Sequence, residues 1–123
     1  MNTEALSTPR GAQAAFTFLE ANDENIVIVD ESTSIKNRSA NRTKNIMQLK
    51  GLSKYRRILT GSPVTRSPMD LYSQCMFLSV LALNFKSFFA FQNRYALVQK
   101  RTMGPRSFNE IVGYRRLDEL NQK

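Results

Sequence analysis

Apolar residues occur along the chain in blocks that predict a fold of mixed helices and strands. A helix is predicted over residues 9–21, with Thr8 as its N-cap. The β-branched run at residues 26–29 predicts a strand buried on both faces, as in parallel sheets. A second helix is predicted over residues 40–50 and a second strand at Tyr55–Leu59. Because a helix separates two apolar strands that both end in polar residues, we expect the strands to be parallel and adjacent.

The second half of the chain is interpreted from its caps, aromatic residues and chain breakers. Residues 67–70, Ser-Pro-Met-Asp, form a capping-box pattern that predicts a helix running to about residue 79. Four aromatic residues are expected on the buried side of a further helix: Phe85, Phe88, Phe89 and Tyr95. Residues 101–106, which contain a Gly-Pro pair, predict a linker, followed by an extended piece at 108–114 and a helical turn at 117–120.

The composition narrows the chemistry that the chain can perform. Its 123 residues predict one domain, and an apolar fraction of 41% is enough for a core. The chain has no histidine and a single cysteine, Cys75. Intramolecular disulfides, most zinc sites, histidine acid–base catalysis and a Cys–His nucleophile pair are therefore excluded. Any reaction must use carboxylates, hydroxyls, lysine and arginine.

No stretch of the sequence is apolar for long enough to predict a membrane span. The most apolar stretch, residues 76–83, is eight residues long, whereas a span needs roughly 20. The first seven residues are polar and do not resemble a secretion signal. We therefore expect an intracellular, cytoplasmic protein.

The charge of the chain is strongly positive and unevenly distributed. Eighteen basic residues against ten acidic ones give a net charge of +8. Residues 36–66 carry nine of the basic residues and no acidic one; the nine are Lys36, Arg38, Arg42, Lys44, Lys50, Lys54, Arg56, Arg57 and Arg66. This segment is either a solvated face or a surface that binds nucleic acid through its phosphates, without sequence preference.

Two groups of polar residues follow the two predicted strands. Asp30 and Glu31 end the first strand, and Thr60 and Ser62 follow the second. Carboxylates at the carboxyl end of a parallel strand can hold Mg²⁺ and orient a water. Two acids after a strand are also common where the strand simply ends at the solvent-exposed surface. The sequence contains no G-x-x-x-x-G-K-[ST] pattern, so we expect no phosphate-cradling loop and no unaided triphosphate hydrolysis.

Taken in order, these segments resemble the Swi/Snf-type branch of the superfamily 2 helicases. Residues 27–32 (Val-Ile-Val-Asp-Glu-Ser) with 35–37 (Ile-Lys-Asn) resemble helicase motif II, and residues 59–64 (Leu-Thr-Gly-Ser-Pro-Val) resemble motif III. Residues 2–7 are similar to the segment around motif Ib. The sequences Asp-Glu-Ser and Thr-Gly-Ser-Pro resemble most those of phage and bacterial members of this branch.

The resemblance implies roles for individual residues. Asp30 would coordinate Mg²⁺, Glu31 would polarise the attacking water, and Thr60 with Ser62 would couple ATP hydrolysis to nucleic-acid binding. The resemblance and the basic segment together predict these residues at the nucleic-acid backbone: Lys36, Asn37, Arg38, Arg42, Lys44, Thr3 and Ser7. ATP and Mg²⁺ would be the cofactors of the complete enzyme, and we expect this chain alone to bind neither.

The same resemblance implies an α/β fold, a partial RecA-like lobe with a short parallel sheet flanked by helices. Residues 1–100 would be a truncated first lobe, and residues 101–123 a linker and the start of a connection toward a second lobe. A complete member also carries motif I and the arginine-bearing motifs IV to VI. We therefore expect a fragment, one piece of a split gene, or a remnant with a new role.

Two functions from different classes remain open. The first is part of a nucleic-acid-dependent ATPase or helicase-like DNA translocase that is inactive alone. The alternative is a non-enzymatic module that binds nucleic acid, or caps a full-length helicase, through residues 36–66. The expected partners are nucleic acid, with DNA favoured over RNA, and either a second copy or a chain that supplies the rest of the lobe.

Overall fold

The structure is a computed structural model that describes all residues from 1 to 123. It divides into two compact units, residues 1–82 and residues 83–123. The division falls after Ala82 and not after residue 100, where the sequence had suggested the boundary. None of its helices is both long and apolar enough to cross a membrane.

The first unit alternates helices and strands. Its elements are a 3-10 helix at Thr3–Ser7, α1 (Pro9–Glu20), β1 (Ile26–Asp30), a 3-10 helix at Ser32–Ile35, α2 (Asn41–Leu49), β2 (Tyr55–Leu59), a 3-10 turn at Pro68–Asp70 and α3 (Leu71–Leu78). β1 and β2 pair in parallel, with Ile26 opposite Tyr55 and Asp30 opposite Leu59. The predicted parallel pairing of neighbouring strands is confirmed, as is a short parallel sheet flanked by helices.

The core of this unit lies between its helices and one face of the sheet. It consists of Leu6, Leu19, Val29, Ile35, Ile46, Leu49 and Phe77. The expectation that β1 is buried on both faces is wrong, because Ile26 and Ile28 are 48% and 51% exposed. β1 pairs with β2 alone, and only the face that carries Val27 and Val29 packs against the core.

Local caps place the helices of the first unit as the sequence predicted. The Thr8 hydroxyl accepts the Gly11 N–H at the start of α1. At Gly11 a Cβ would stand 2.0 Å from the Ala5 carbonyl oxygen, so the close packing of the first 3-10 helix on α1 requires glycine. The capping box of Ser67 and Asp70 is also present, and the helical segment continues into α3.

The second unit contains a β-ribbon that the sequence did not reveal. It comprises α4 (Phe88–Tyr95), β3 (Ala96–Met103), β4 (Arg106–Tyr114) and α5 (Leu117–Asn121), and β3 and β4 form an antiparallel hairpin. The predicted linker at residues 101–106 is wrong, because these residues are strand ends and a tight turn. Gly104 has φ +61, a left-handed conformation that glycine adopts without a steric penalty.

The aromatic residues of the second unit follow a different arrangement from the expected one. Phe91 and Tyr95 are fully buried, with ring centroids 5.1 Å apart. Phe85 precedes α4 and meets both rings edge-on. Phe89 is 62% exposed, so it is not a core residue. The spacing of the aromatic residues predicted the helix correctly, but it placed Phe89 on the buried face instead of the exposed one.

Candidate functional site

Asp30 and Glu31 lie at the carboxyl edge of the parallel sheet. Asp30 is the last residue of β1, and its register partner Leu59 is the last residue of β2, so Thr60 follows at the same edge. The predicted placement of these polar residues at one edge is confirmed. Both carboxylates are exposed, and one oxygen of Asp30 accepts the Glu31 N–H at 2.9 Å.

Glu31 ends β1 with an unusual backbone conformation. Its φ of 50° and ψ of 59° place it in the left-handed region, which costs a non-glycine residue about 1–2 kcal/mol. The chain therefore turns sharply at Glu31 and enters the 3-10 helix at Ser32–Ile35. The turn leaves the Glu31 carboxylate at the sheet edge in solvent instead of continuing the strand.

Thr60 and Ser62 use their hydroxyls within their own turn. The Thr60 hydroxyl oxygen accepts the Ser62 N–H at 3.2 Å, and the Ser62 hydroxyl donates to the Val64 carbonyl at 3.1 Å. Neither hydroxyl bonds to Asp30 or Glu31. The structure thus brings these residues to the same edge but shows no direct relay between them.

A buried glutamine connects the two motif-like segments. Gln74 is 1% exposed, and its side-chain oxygen accepts a hydrogen bond from the Ser32 hydroxyl at 2.5 Å. Its amide donates to the Pro63 carbonyl at 2.7 Å and to the Asp70 carbonyl at 2.9 Å. Through Gln74 the segment after β1 is therefore held to the segment after β2.

Sequence reasoning missed Gln74, although a signal was available. It lies three residues before Phe77 on α3, and both side chains are buried. A polar residue on the buried face of a predicted helix needs hydrogen-bond partners, which makes it a candidate for a bridging role.

Asp70 organises the loop that follows Ser62. Its carboxylate accepts the Thr65 hydroxyl at 2.9 Å and the N–H groups of Thr65 and Arg66 at 3.0 and 2.9 Å. Partial burial would raise the pKa of Asp70, but these hydrogen bonds and a longer one from the Ser67 N–H outweigh it and lower the pKa. Lys36, predicted to contact nucleic acid, donates to the Thr65 hydroxyl at 2.5 Å and so joins this loop.

The other predicted nucleic-acid contacts divide between the first 3-10 helix and α2. The Arg42 guanidinium reaches the Ser7 hydroxyl at 3.4 Å, and the Asn45 amide donates to the Leu6 carbonyl at 2.6 Å. These contacts bring Ser7 and Arg42 together. Thr3, in the same 3-10 helix as Ser7, lines an apolar cavity beside β1 instead.

Residues 37 and 38 precede α2, and Lys44 lies within it. The Asn37 side-chain oxygen accepts the N–H and the hydroxyl of Ser39, which shapes the turn before the helix. Arg38 and Lys44 are exposed. The exposed cations at and before the N-terminal part of α2 therefore remain the accessible basic group of this region.

The basic segment is not one continuous surface. Arg56 donates to the Lys50, Ser53 and Leu78 carbonyls, and Lys50 donates to the Met76 carbonyl. Burial, and secondarily the positive charge of Arg56, lower the pKa of Lys50. Lys54 forms an ion pair with Glu24. Lys50 and Arg56 therefore serve the fold, and Lys54 is neutralised by a surface ion pair, which the charge pattern alone did not reveal.

The acidic pair suits a metal ion that is held mainly by another molecule. No group of three or more His, Cys, Asp or Glu residues could by itself hold a metal ion. Mg²⁺ in nucleotide sites is usually bound by one or two carboxylates together with phosphates and water. The exposed Asp30 carboxylate at the sheet edge fits such a shared site, and Asp30 is the residue that would hold the ion.

The fold and the sequence comparisons agree on the class of protein. The chain belongs to the family of the SNF2-related domain, which matches residues 12–120. This assignment confirms the resemblance to Swi/Snf-type helicases.

Similar proteins come from animals and a yeast. The chain is 33% identical over 111 residues to the DNA annealing helicase and endonuclease ZRANB3 of Bos taurus, covering 88% of this chain and 10% of that protein. It is 33% identical over 94 residues to the helicase-like transcription factor of Mus musculus, covering 76% and 8%. It is 43% identical over 54 residues to the DNA repair protein RAD5 of Candida glabrata, covering 44% and 4%.

The chain spans about a tenth or less of the length of these relatives. No solved structure matches it. The named relatives are eukaryotic, so the suggested likeness to phage and bacterial members stays a prediction.

Proposed function

We propose that this chain supplies part of the motor of a nucleic-acid-dependent ATPase of the SNF2 type. The observation that carries the proposal is the parallel register of β1 and β2, with Asp30-Glu31 and Thr60 at one sheet edge. Ligands of open parallel sheets gather at this edge. DNA is the proposed polymer, because the named relatives include a DNA annealing helicase and a DNA repair protein.

In the proposed reaction each residue at the edge has one task. Asp30 would hold Mg²⁺, and the bound ion would supply positive charge that neutralises the ATP phosphates. The Glu31 carboxylate accepts a hydrogen bond from the attacking water and orients it. Gln74 holds the segments after β1 and β2 together, so that a shift at Thr60–Ser62 is transmitted to Ser32 beside Glu31. Thr60 and Ser62 are the proposed coupling residues.

The chain alone is proposed to be inactive as an ATPase. Its 123 residues contain no G-x-x-x-x-G-K-[ST] sequence, so the triphosphate has no backbone cradle. Phosphate release should therefore stay at the level of buffer, with and without DNA. Robust turnover by the purified chain that disappears in Glu31→Gln would contradict this part of the proposal, whereas turnover that survives Glu31→Gln would indicate a contaminating ATPase.

The proposed nucleic-acid contact lies at the N-terminal part of α2. Ser7 and Arg42 are brought together there, and Lys36, Asn37, Arg38 and Lys44 belong to the same stretch of chain. Contacts from these residues would be made to phosphates and carry no sequence preference. Thr3 is left out of the proposed surface, because it lines the apolar cavity.

Binding is tested by its dependence on salt and on charge. Labelled duplex and single strands are titrated at several salt concentrations, and each phosphate contact on duplex DNA should add roughly 0.9 to the slope of log affinity against log salt. The double variant Arg42→Glu and Lys44→Glu should weaken binding and flatten the slope. The matched double variant Arg10→Glu and Lys86→Glu changes the net charge equally at two exposed positions. Equal losses in both variants would show a general charge effect and no surface at α2.

The second candidate is a module that binds nucleic acid without hydrolysing ATP. The exposed cations at α2 favour this candidate, because they can bind the phosphates of a nucleic acid without ATP. The neighbouring reading frames discriminate the two proposals. A frame that encodes G-x-x-x-x-G-K-[ST] and another that encodes an arginine-rich second lobe favour the enzyme, and their absence favours the module.

A further inference from the structure

The β-ribbon of the second unit is unusually open. β3 and β4 form a two-stranded sheet with no third strand, and every residue from 97 to 110 is exposed. A ribbon with both faces in solvent buries little apolar surface, so its side chains contribute little to a core. The side chains of the ribbon are therefore accessible to a ligand.

The ribbon is positively charged. The ribbon, residues 96–114, contains three basic residues, Lys100, Arg101 and Arg106, and one acidic residue, Glu110. Glu110 pairs with Arg101 at 2.7 Å. Lys100 and Arg106 form no ion pair, so the distal half of the ribbon presents uncompensated positive charge. This charge favours a polyanionic partner over an apolar or cationic one.

One face of the ribbon combines cations with apolar side chains. Arg101 lies opposite Phe108, and two residues further along Met103 lies opposite Arg106. Residues directly opposite each other, and residues two apart on one strand, share a face. Arg101, Met103, Arg106, Phe108 and Glu110 therefore form one surface, which we call the ribbon face, and Arg106 is its cation without an ion pair. Met103 is 72% exposed and Phe108 is 45% exposed.

We propose that the ribbon face binds single-stranded nucleic acid, with Phe108 stacking on an unpaired base and Arg106 contacting a phosphate. An exposed aromatic ring beside an unpaired cation is suited to binding single strands, because every base offers a flat face for stacking and the backbone offers negative charge. The inference rests on the proposed function only in that both name nucleic acid as the ligand. It concerns a surface separate in sequence from α2 and requires no ATP.

The test exploits the absence of tryptophan from the chain. In Phe108→Trp the introduced indole is the only one, and stacking on a base should quench its fluorescence. The titrant is an unstructured single-stranded oligonucleotide, followed by the matching duplex. The control is Phe89→Trp, at another exposed phenylalanine of the same unit. We expect saturable quenching of Phe108→Trp by the single strand, with weak quenching by duplex and none in Phe89→Trp.

A second variant measures affinity. Phe108→Leu keeps an apolar side chain and removes the ring, so it should lose about fivefold or more in affinity for single strands and little for duplex. Circular dichroism and a thermal melt confirm that the variant folds. Unchanged affinity for single strands, or an equal loss for both forms, overturns the inference. Quenching of Phe108→Trp by the single strand that persists when Arg42→Glu and Lys44→Glu are added, together with loss of duplex binding in that α2 double variant, would support both proposals, because the two surfaces report separately.

Discussion

At the scale of single residues, Arg56 shows how a cation in a basic segment can serve the fold. Its guanidinium donates to the Leu78 and Lys50 carbonyls at 3.2 Å each and to the Ser53 carbonyl at 3.1 Å. These carbonyls belong to the end of α3 and to the turn between α2 and β2. Only arginine has enough donors in a fixed geometry to satisfy all three at once. The next residue, Arg57, is exposed.

Replacement of these two neighbours should separate structural charge from surface charge. Arg56→Ala removes a charged donor from three carbonyls, and we expect the free energy of unfolding to fall by about 2–3 kcal/mol. Arg57→Ala removes the same charge from solvent and should change it by less than about 0.5 kcal/mol. Urea denaturation followed by circular dichroism measures both. Similar stability of the two variants would mean that the carbonyl contacts of Arg56 contribute nothing net.

Residue identities alone could predict the Asp30-Glu31 site, but not the hydrogen bonds by which Gln74 joins the segment after β1 to the segment after β2. The two acids follow a β-branched run, so their place at a strand end is encoded locally. The link through Gln74 joins residues 42 positions apart, Ser32 and Gln74, and depends on how α3 packs. Likewise, the charges of Lys50 and Arg56 look identical to those of Lys44 and Arg57 in sequence. Tertiary contacts decide which of them face solvent.

At the scale of elements, local signals were reliable where the chain itself carries the interaction. The caps Thr8 and Ser67 bond to N–H groups within three residues, so α1 and the start of α3 were predictable. The hairpin was not. Residues 99–102 are all polar, and Phe108 is the single apolar residue of 107–110, so these stretches show no alternation of apolar and polar positions. The Gly-Pro turn then resembled a linker.

The capping box before α3 gives a prediction about pH. The pKa of Asp70 is lowered in the folded chain, so Asp70 stabilises the fold at pH values above its unfolded pKa, and this contribution is lost as the pH falls through the folded pKa. Asp70→Ala should therefore cost about 1–2 kcal/mol at pH 7, as for other lost caps. The difference from the unmodified chain should shrink below about pH 4.

Urea denaturation at a series of pH values measures this dependence. Asp23→Ala, at an exposed position in the turn before β1, is the control and should follow the unmodified chain at every pH. A difference between Asp70→Ala and the unmodified chain that stays constant down to pH 2 would show that the carboxylate charge is irrelevant and that only its shape matters.

At the scale of the whole molecule, β1 has an unpaired edge. It pairs with β2 alone, and its exposed face carries Ile26 and Ile28. Beside it lies an open apolar cavity of about 520 Å³, lined in part by Phe18 of α1, which is 66% exposed. An apolar strand with free N–H and C=O groups is a template for pairing with another chain. The exposed face of β2 is less apolar than that of β1, because it includes Arg57.

We therefore expect the purified chain to associate through β1, as a homodimer or with a chain that supplies an adjoining strand. Light scattering across a dilution series should show a mass that rises with concentration, and the melting temperature should rise with it, because association stabilises the folded state by mass action. Ile28→Lys places a charge on the exposed face beside the edge and should hold the chain as a monomer. Leu59→Lys, at a residue of β2 that is 53% exposed, is the matched control and should still associate. A monomer at all concentrations with a high, constant melting temperature would mean that the β1 edge is protected within the chain.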